Sequence, residues 1–146
     1  MKKNVLGELS NTQINNYLNG YPQYRGCYSC LQLPKIQNGF YVINLDNFNL
    51  AGTHWVSVWM TTNKAYYIDP FGQVPNSQIE DWLVKSGRKL LYNDEQLQEI
   101  KSEACGYFAC FFGIHLMSGF TVEQTLNCFS KNTKMNQQIL KLFFKL

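Results

Sequence analysis

The stretch SEACGYFACFFGIHLMSGF, residues Ser102 to Phe120, reads as a helix that is apolar nearly all the way round. A helix with no wet face belongs at the centre of a protein, so the rest of the chain must be arranged to cover it. It opens on Cys105-Gly106. The polar, unbranched run NDEQLQEIK, Asn93 to Lys101, precedes it where an ordinary capping residue would be expected.

The chain has 146 residues, of which 45% are hydrophobic and 15% aromatic. That is enough apolar mass for a central helix and a sheet in one domain, residues 1–146, with one core. No run of about 18 apolar residues is present, so no membrane partner is expected. The opening MKKNVLGELSN has two lysines but no apolar stretch of the secretory kind. The expected setting is therefore intracellular or inside a particle, not secreted. The net charge of +3 is modest, and Lys131, Lys134, Lys141 and Lys145 read as a solvated helix face before they read as a weak DNA contact. Five cysteines is an odd number in a chain with no export signal, so structural disulfides are not expected. The CYSC pair, Cys27 and Cys30, lacks two further ligands at short spacing, so no metal site is expected.

Ser10 or Asn11 is placed to cap a short helix through NTQINNYL, stopped by Gly20. A Tyr-, Gly-, Cys- and Pro-rich loop follows. Strands are predicted at GFYVINLD (Gly39 to Asp46), THWVSVWM (Thr53 to Met60), AYYID (Ala65 to Asp69) and RKLLY, with NFNLAG as a loop between the first two. Ser77 is read as the cap of QIEDWLVKS, which Gly87 terminates. Beyond the central helix, Thr121 with Gln124 has the form of a capping box, and an amphipathic helix covers about Lys134 to Phe144. Strands early and helices late predict an α+β fold, with a small central sheet packed against the buried helix and further helices flanking it.

His54 lies at one end of an apolar strand face, alternating with Val56, Val58 and Met60. If the second and third strands form a hairpin with an even-numbered loop, His54 and Asp69 share a face at its open end. They stand directly opposite in one register. With a two-residue loop, His54 faces Phe71 and Asp69 is diagonal. A carboxylate there can accept the imidazole N–H, fix its tautomer and stabilise the imidazolium. Cys105, at the N-terminus of the central helix, meets free N–H groups and a partial positive charge, both of which stabilise a thiolate. Gly106 leaves room for a substrate carbonyl. Acyl transfer also needs donors for the developing oxyanion. The Cys105 N–H can supply one, and Gln98, seven residues upstream, is chosen for the other over Gln96. His115 is roughly 15 Å along the helix from Cys105, too far to serve as its base.

Four pieces in order, GTHW (Gly52 to Trp55), YYIDPFG (Tyr66 to Gly72), Gln98 and ACGYFAC (Ala104 to Cys110), resemble the adenovirus maturation proteases, the adenain family. They resemble still more closely the related proteases of virophages and adenovirus-like mobile elements. The likeness covers roughly Ser10 to Phe120. It implies an adenain-like fold, with His54 as general base and acid, Asp69 as its orienting partner, Cys105 as nucleophile and Gln98 as oxyanion donor. It also implies that Trp55 walls a narrow cleft that favours glycine beside the scissile bond. The implied function is a viral maturation protease that cuts capsid or other structural precursors at Gly-containing sites, in the virion and the infected cell.

Two features depart from the adenoviral pattern. The acid is Asp69 where adenoviral enzymes commonly carry Glu. No cysteine lies between Cys30 and Cys105 to mirror the one that links the adenoviral enzyme to its peptide cofactor. No cofactor and a monomeric state are expected, with activation by DNA or a peptide left open. The same constellation would serve a deconjugase of ubiquitin-like modifiers, which is the alternative. An acetyltransferase would need a CoA site that is not evident, and an inactive binding module would not need all four chemical positions filled.

Overall fold

A computed structural model describes residues 6–45 and 54–146. The first helix, α1 (Asn11–Leu18), starts at Ser10. The Ser10 side chain accepts the Gln13 N–H while the Gln13 side chain returns to the Ser10 N–H, a reciprocal cap that decides between Ser10 and Asn11. The strands are β1 (Tyr24–Ser29), β2 (Gly39–Asn44), β3 (Trp55–Met60), β4 (Lys64–Ile68) and β5 (Lys89–Tyr92). They form one sheet in the order β1-β2-β3-β4-β5. The β2–β3 and β3–β4 pairs are antiparallel, while β1 and β5 add to the two edges in parallel. Between β4 and β5 lies α2 (Ser77–Lys85), and after β5 come α3 (Cys105–Met117), α4 (Val122–Leu126) and α5 (Thr133–Phe144).

The fold is α+β, as the order of elements implies. Two local readings change. The segment read as a loop after Gly20 contains β1, an edge strand half-buried at every position. It has no alternation for a period-two pattern to detect, and its register slips between Tyr24 and Gly26. The cap of α2 is Asn76, whose side chain accepts the Ile79 N–H at 3.0 Å, and Ser77 is the first helical residue. The Thr121–Gln124 capping box is present. The NFNLAG loop, Asp46, Gly52 and Thr53 lie outside the described residues.

The sheet is covered on both faces. Tyr41, Ile43, Val56, Val58, Met60 and Tyr67 pack with Ile79, Trp82 and Leu83 of α2. Phe40, Val42 and Ile68 on the other face pack against α3, which α1, α4 and α5 enclose in turn. Burial on both faces explains why β2 reads as a continuous apolar run rather than an alternation. Cys27 belongs to the α3 side of the sheet and Cys30 to the α2 side, so the CYSC pair points in opposite directions.

The helix that is apolar all round is the one with protein on every side. Its Phe108, Cys110 and Phe112 have no exposed surface. Gly113 lets α3 approach the sheet, since a Cβ there would stand 2.6 Å from Cε2 of the fully buried Phe40. Gly113→Ala is expected to destabilise the protein by about 1–3 kcal/mol, because neither the helix nor Phe40 has room to move. A lower urea midpoint at unchanged slope is the measurement; no change would show that the helix can shift at little cost.

Candidate active site

His54 immediately precedes β3 and Asp69 immediately follows β4. In the hairpin, Met60 pairs with Ala65, and the Thr61 N–H donates to the Lys64 carbonyl at 2.9 Å, closing a two-residue turn. Continued to the open end, this register sets His54 opposite Phe71. The two rings stack with centroids 4.4 Å apart. Asp69 takes the diagonal position, its Oδ1 2.6 Å from His54 Nε2.

Asp69 is 2% exposed and held from several directions. The same Oδ1 accepts the Phe71 N–H at 2.8 Å. The Asp69 N–H donates to Asn93 Oδ1 at 2.8 Å, and Asn93 Nδ2 donates to the Asp69 carbonyl at 2.7 Å. Asn93 was not singled out from the sequence. Its position just past β5 matters only because β5 runs parallel beside β4, a pairing that local pattern does not reveal.

With Nε2 committed to Asp69, Nδ1 is the ring nitrogen left for Cys105, to which the His54 side chain also hydrogen-bonds. Burial pulls the imidazolium down. The hydrogen bonds to Asp69 and Cys105, and the negative charge of both groups, outweigh it and hold His54 at about 9 against an ordinary 6.5. Cys105, the first residue of α3, is 2% exposed, and its Sγ accepts the Trp55 backbone N–H at 3.4 Å.

The start of α3 differs from the other helices. Ser10, Asn76, Thr121 and Asn132 each cap a helix through a side chain, whereas Ala104 occupies the cap of α3 and has no side chain to do so, its own N–H going to Ser102 Oγ at 3.1 Å. A capping oxygen would claim the first-turn N–H groups and offset their partial charge, which here is directed at Cys105. This accounts for the polar run in place of a cap.

That run is tied to the acid. The Pro70 carbonyl accepts the N–H groups of both Leu97 (2.8 Å) and Gln98 (3.0 Å). Gly72, at φ +73°, closes the turn with its N–H on the Asp69 carbonyl at 2.8 Å, and a Cβ there would come within 2.9 Å of the Glu95 backbone. Only glycine permits both that conformation and that approach. Gln98 is fully buried. Its Nε2 donates to the Ser102 carbonyl at 2.8 Å, which uses one of two N–H groups, and its Oε1 has no partner among the described residues. Gln96 is exposed and spends its amide on the Gln98 carbonyl at 2.9 Å, so it supports the loop from outside.

Trp55 is 5% exposed, its indole N–H on the Leu9 carbonyl at 2.9 Å. It lines a groove of about 390 Å³ with Leu9, Ser10, Cys27, Tyr28 and Asn44. Gly106 is placed differently from its expected use. It is buried, and the room left by its missing side chain is taken by Leu9, whose Cβ would lie 2.9 Å from an added Cβ. His115 packs away from the site, with Nδ1 on the Phe111 carbonyl at 2.8 Å and its ring stacked on Phe111.

Fold and site together set a hydrogen-bonded Asp69–His54–Cys105 series where the open end of the hairpin meets the start of α3, a geometry suited to the chemistry of a thiol nucleophile. The chain is 32% identical, over 90 residues and 53% of its length, to a candidate thiol protease of Acanthamoeba polyphaga mimivirus. It spans 30% of that relative's length. In fold it is similar to the ASFV pS273R protease, with a TM-score of 0.65 at 14% identity over 92% of this chain and 67% of that one. It is also similar to the SUMO protease Ulp1, with a TM-score of 0.50 at 14% identity over 92% of this chain and 76% of that one. No family model matches the sequence.

Proposed function

We propose that the chain is an endopeptidase of the adenain type, close to those of virophages, that cuts viral structural precursors at Gly-containing sites. The observation that carries the reading is the hydrogen-bonded series Asp69–His54–Cys105. With the thiol proton already on His54 Nδ1, Cys105 Sγ attacks the scissile carbonyl carbon as a thiolate. The carbonyl π electrons move to oxygen, toward the Cys105 N–H and the second N–H of Gln98 Nε2. The C–N bond then breaks, and the imidazolium gives its proton to the departing amine. Water, deprotonated by His54, then attacks the thioester carbon; the C–S bond breaks, the acid product leaves, and Cys105 thiolate and protonated His54 are restored.

Every group used belongs to this chain, so the reaction as written needs no metal or cofactor and is assigned to a monomer. DNA or a peptide would act only as an activator. The likeness to proteins of mimivirus and ASFV supports a viral setting, in the infected cell and the virion. Trp55, held rigidly in the groove wall, supports a preference for small residues next to the cut.

A deconjugase of ubiquitin-like modifiers is the second reading, favoured by the likeness to the SUMO protease Ulp1. One experiment separates the two: a mixed peptide library and a panel of ubiquitin-like electrophilic probes, each offered to wild type and Cys105→Ala. Cleavage at Gly-containing peptides with no probe adduct is expected. A Cys105-dependent adduct with a ubiquitin-like probe, without peptide cleavage, would replace the first reading by the second.

A further inference from the structure

We propose that α5 positions the loop carrying Gln98, with Asn136 and Gln137 as positioning residues; the inference rests on the protease reading above. Asn136 has no exposed surface, yet it carries a full amide. Its Oδ1 accepts the Ser130 N–H at 2.9 Å, and its Nδ2 donates to the carbonyls of Ser130 (2.7 Å) and Leu97 (2.9 Å). A buried amide is a poor choice for an apolar helix face unless its bonds are needed where they fall. One of them falls on Leu97, the residue before Gln98. Pro70 holds the N–H of Leu97 and Asn136 holds its carbonyl, so the loop is gripped from the acid strand and from α5.

The next residue of α5 reaches the other end of the loop. Gln137 Nε2 donates to Ser102 Oγ at 2.8 Å. Ser102 is a junction: its carbonyl receives the Gln98 amide, and its hydroxyl receives both Gln137 and the Ala104 N–H, the latter at 3.1 Å. Through this one residue α5 sets the direction of the Gln98 amide. Neither Asn136 nor Gln137 is placed to touch the reacting atoms. They act by holding a donor in the geometry that acyl transfer requires.

The test compares two reactions at the same thiol. Iodoacetamide alkylation displaces iodide and forms no oxyanion. A peptide aldehyde ending in Gly-glycinal forms a tetrahedral hemithioacetal, whose oxygen needs the donors. Gln137 is half-buried, so Gln137→Ala is the gentler variant, with Ser102→Ala as its partner. Gln137→Ala is expected to weaken aldehyde inhibition about tenfold while the Cys105 alkylation rate stays at the wild-type value, a smaller loss than the roughly 10²-fold expected when the donor itself is removed in Gln98→Ala. The double variant should be no worse than Ser102→Ala alone, because Gln137 acts through that hydroxyl. Unchanged aldehyde inhibition in Gln137→Ala, or alkylation and inhibition falling together, would overturn the positioning role and leave the protease reading standing. A wild-type protein showing neither selective alkylation of Cys105 nor aldehyde inhibition would overturn that reading, and this inference with it.

Discussion

His54→Ala and Cys105→Ala are each expected to lower peptide hydrolysis by about ten-thousand-fold or more, and the double variant to be little worse than either alone. Residues that act as a unit lose most of their effect when any one is removed. The unit here is visible in the structure. His54 stacks on Phe71, holds Asp69 at 2.6 Å and hydrogen-bonds Cys105, so the alanine variant removes the proton acceptor and the cation together. Alkylation reads the same pair without a substrate. At pH 6 an ordinary thiol is almost wholly protonated and slow. Cys105 beside a protonated His54 should be labelled first, and that preference should vanish in His54→Ala. The remaining cysteines serve as internal controls. Burial raises the pKa of Cys27 and Cys110, whereas Cys128 is exposed and serves as the accessible comparison. Iodoacetamide is small enough to suit a nucleophile that is 2% exposed. If mass spectrometry finds Cys105 labelled no faster than Cys128 in the wild type, the pair is not poised and the catalytic assignment falls.

Asp69 separates orientation from charge. Asn in its place keeps an acceptor for the imidazole N–H and for the Phe71 N–H, but removes the negative charge that helps hold His54 at about 9. The alkaline limb of the hydrolysis profile reports loss of the imidazolium proton that the leaving amine must receive. Asp69→Asn should therefore move that limb from near pH 9 toward the ordinary histidine range, with much of the activity kept on the acid side. Asp69→Ala should lose about 10²-fold or more at every pH, since the tautomer is no longer held. Stability follows the same sign. A histidine raised above its unfolded value of 6.5 contributes fully below that pH, and the contribution is lost as pH rises through about 9. The Tm gap between wild type and Asp69→Asn should be widest near pH 6 and close above pH 9. An NMR titration of the His54 ring that leaves its pKa unmoved in Asp69→Asn would refute the account.

The central helix, the hairpin and the meeting of His54 with Asp69 were legible in the sequence because each rests on local pattern. A segment apolar on all sides can only be central, and α3 is. Two strands joined by TTNK can pair only so as to bring the residue before one beside the residues after the other, and His54 meets Phe71 and Asp69 in that way. Capping residues are equally local, which is why Ser10 and Thr121 were readable. β1 was not, because an edge strand half-buried throughout carries no periodic signal.

What only the tertiary structure decided are the contacts between distant segments. Gly106 faces Leu9, Asn93 clamps Asp69, and Asn136 and Gln137 reach the loop before Cys105. A strand or helix announces itself through the period of its own residues. The partner of a buried amide is chosen by packing between elements far apart in the chain, and no local period encodes it.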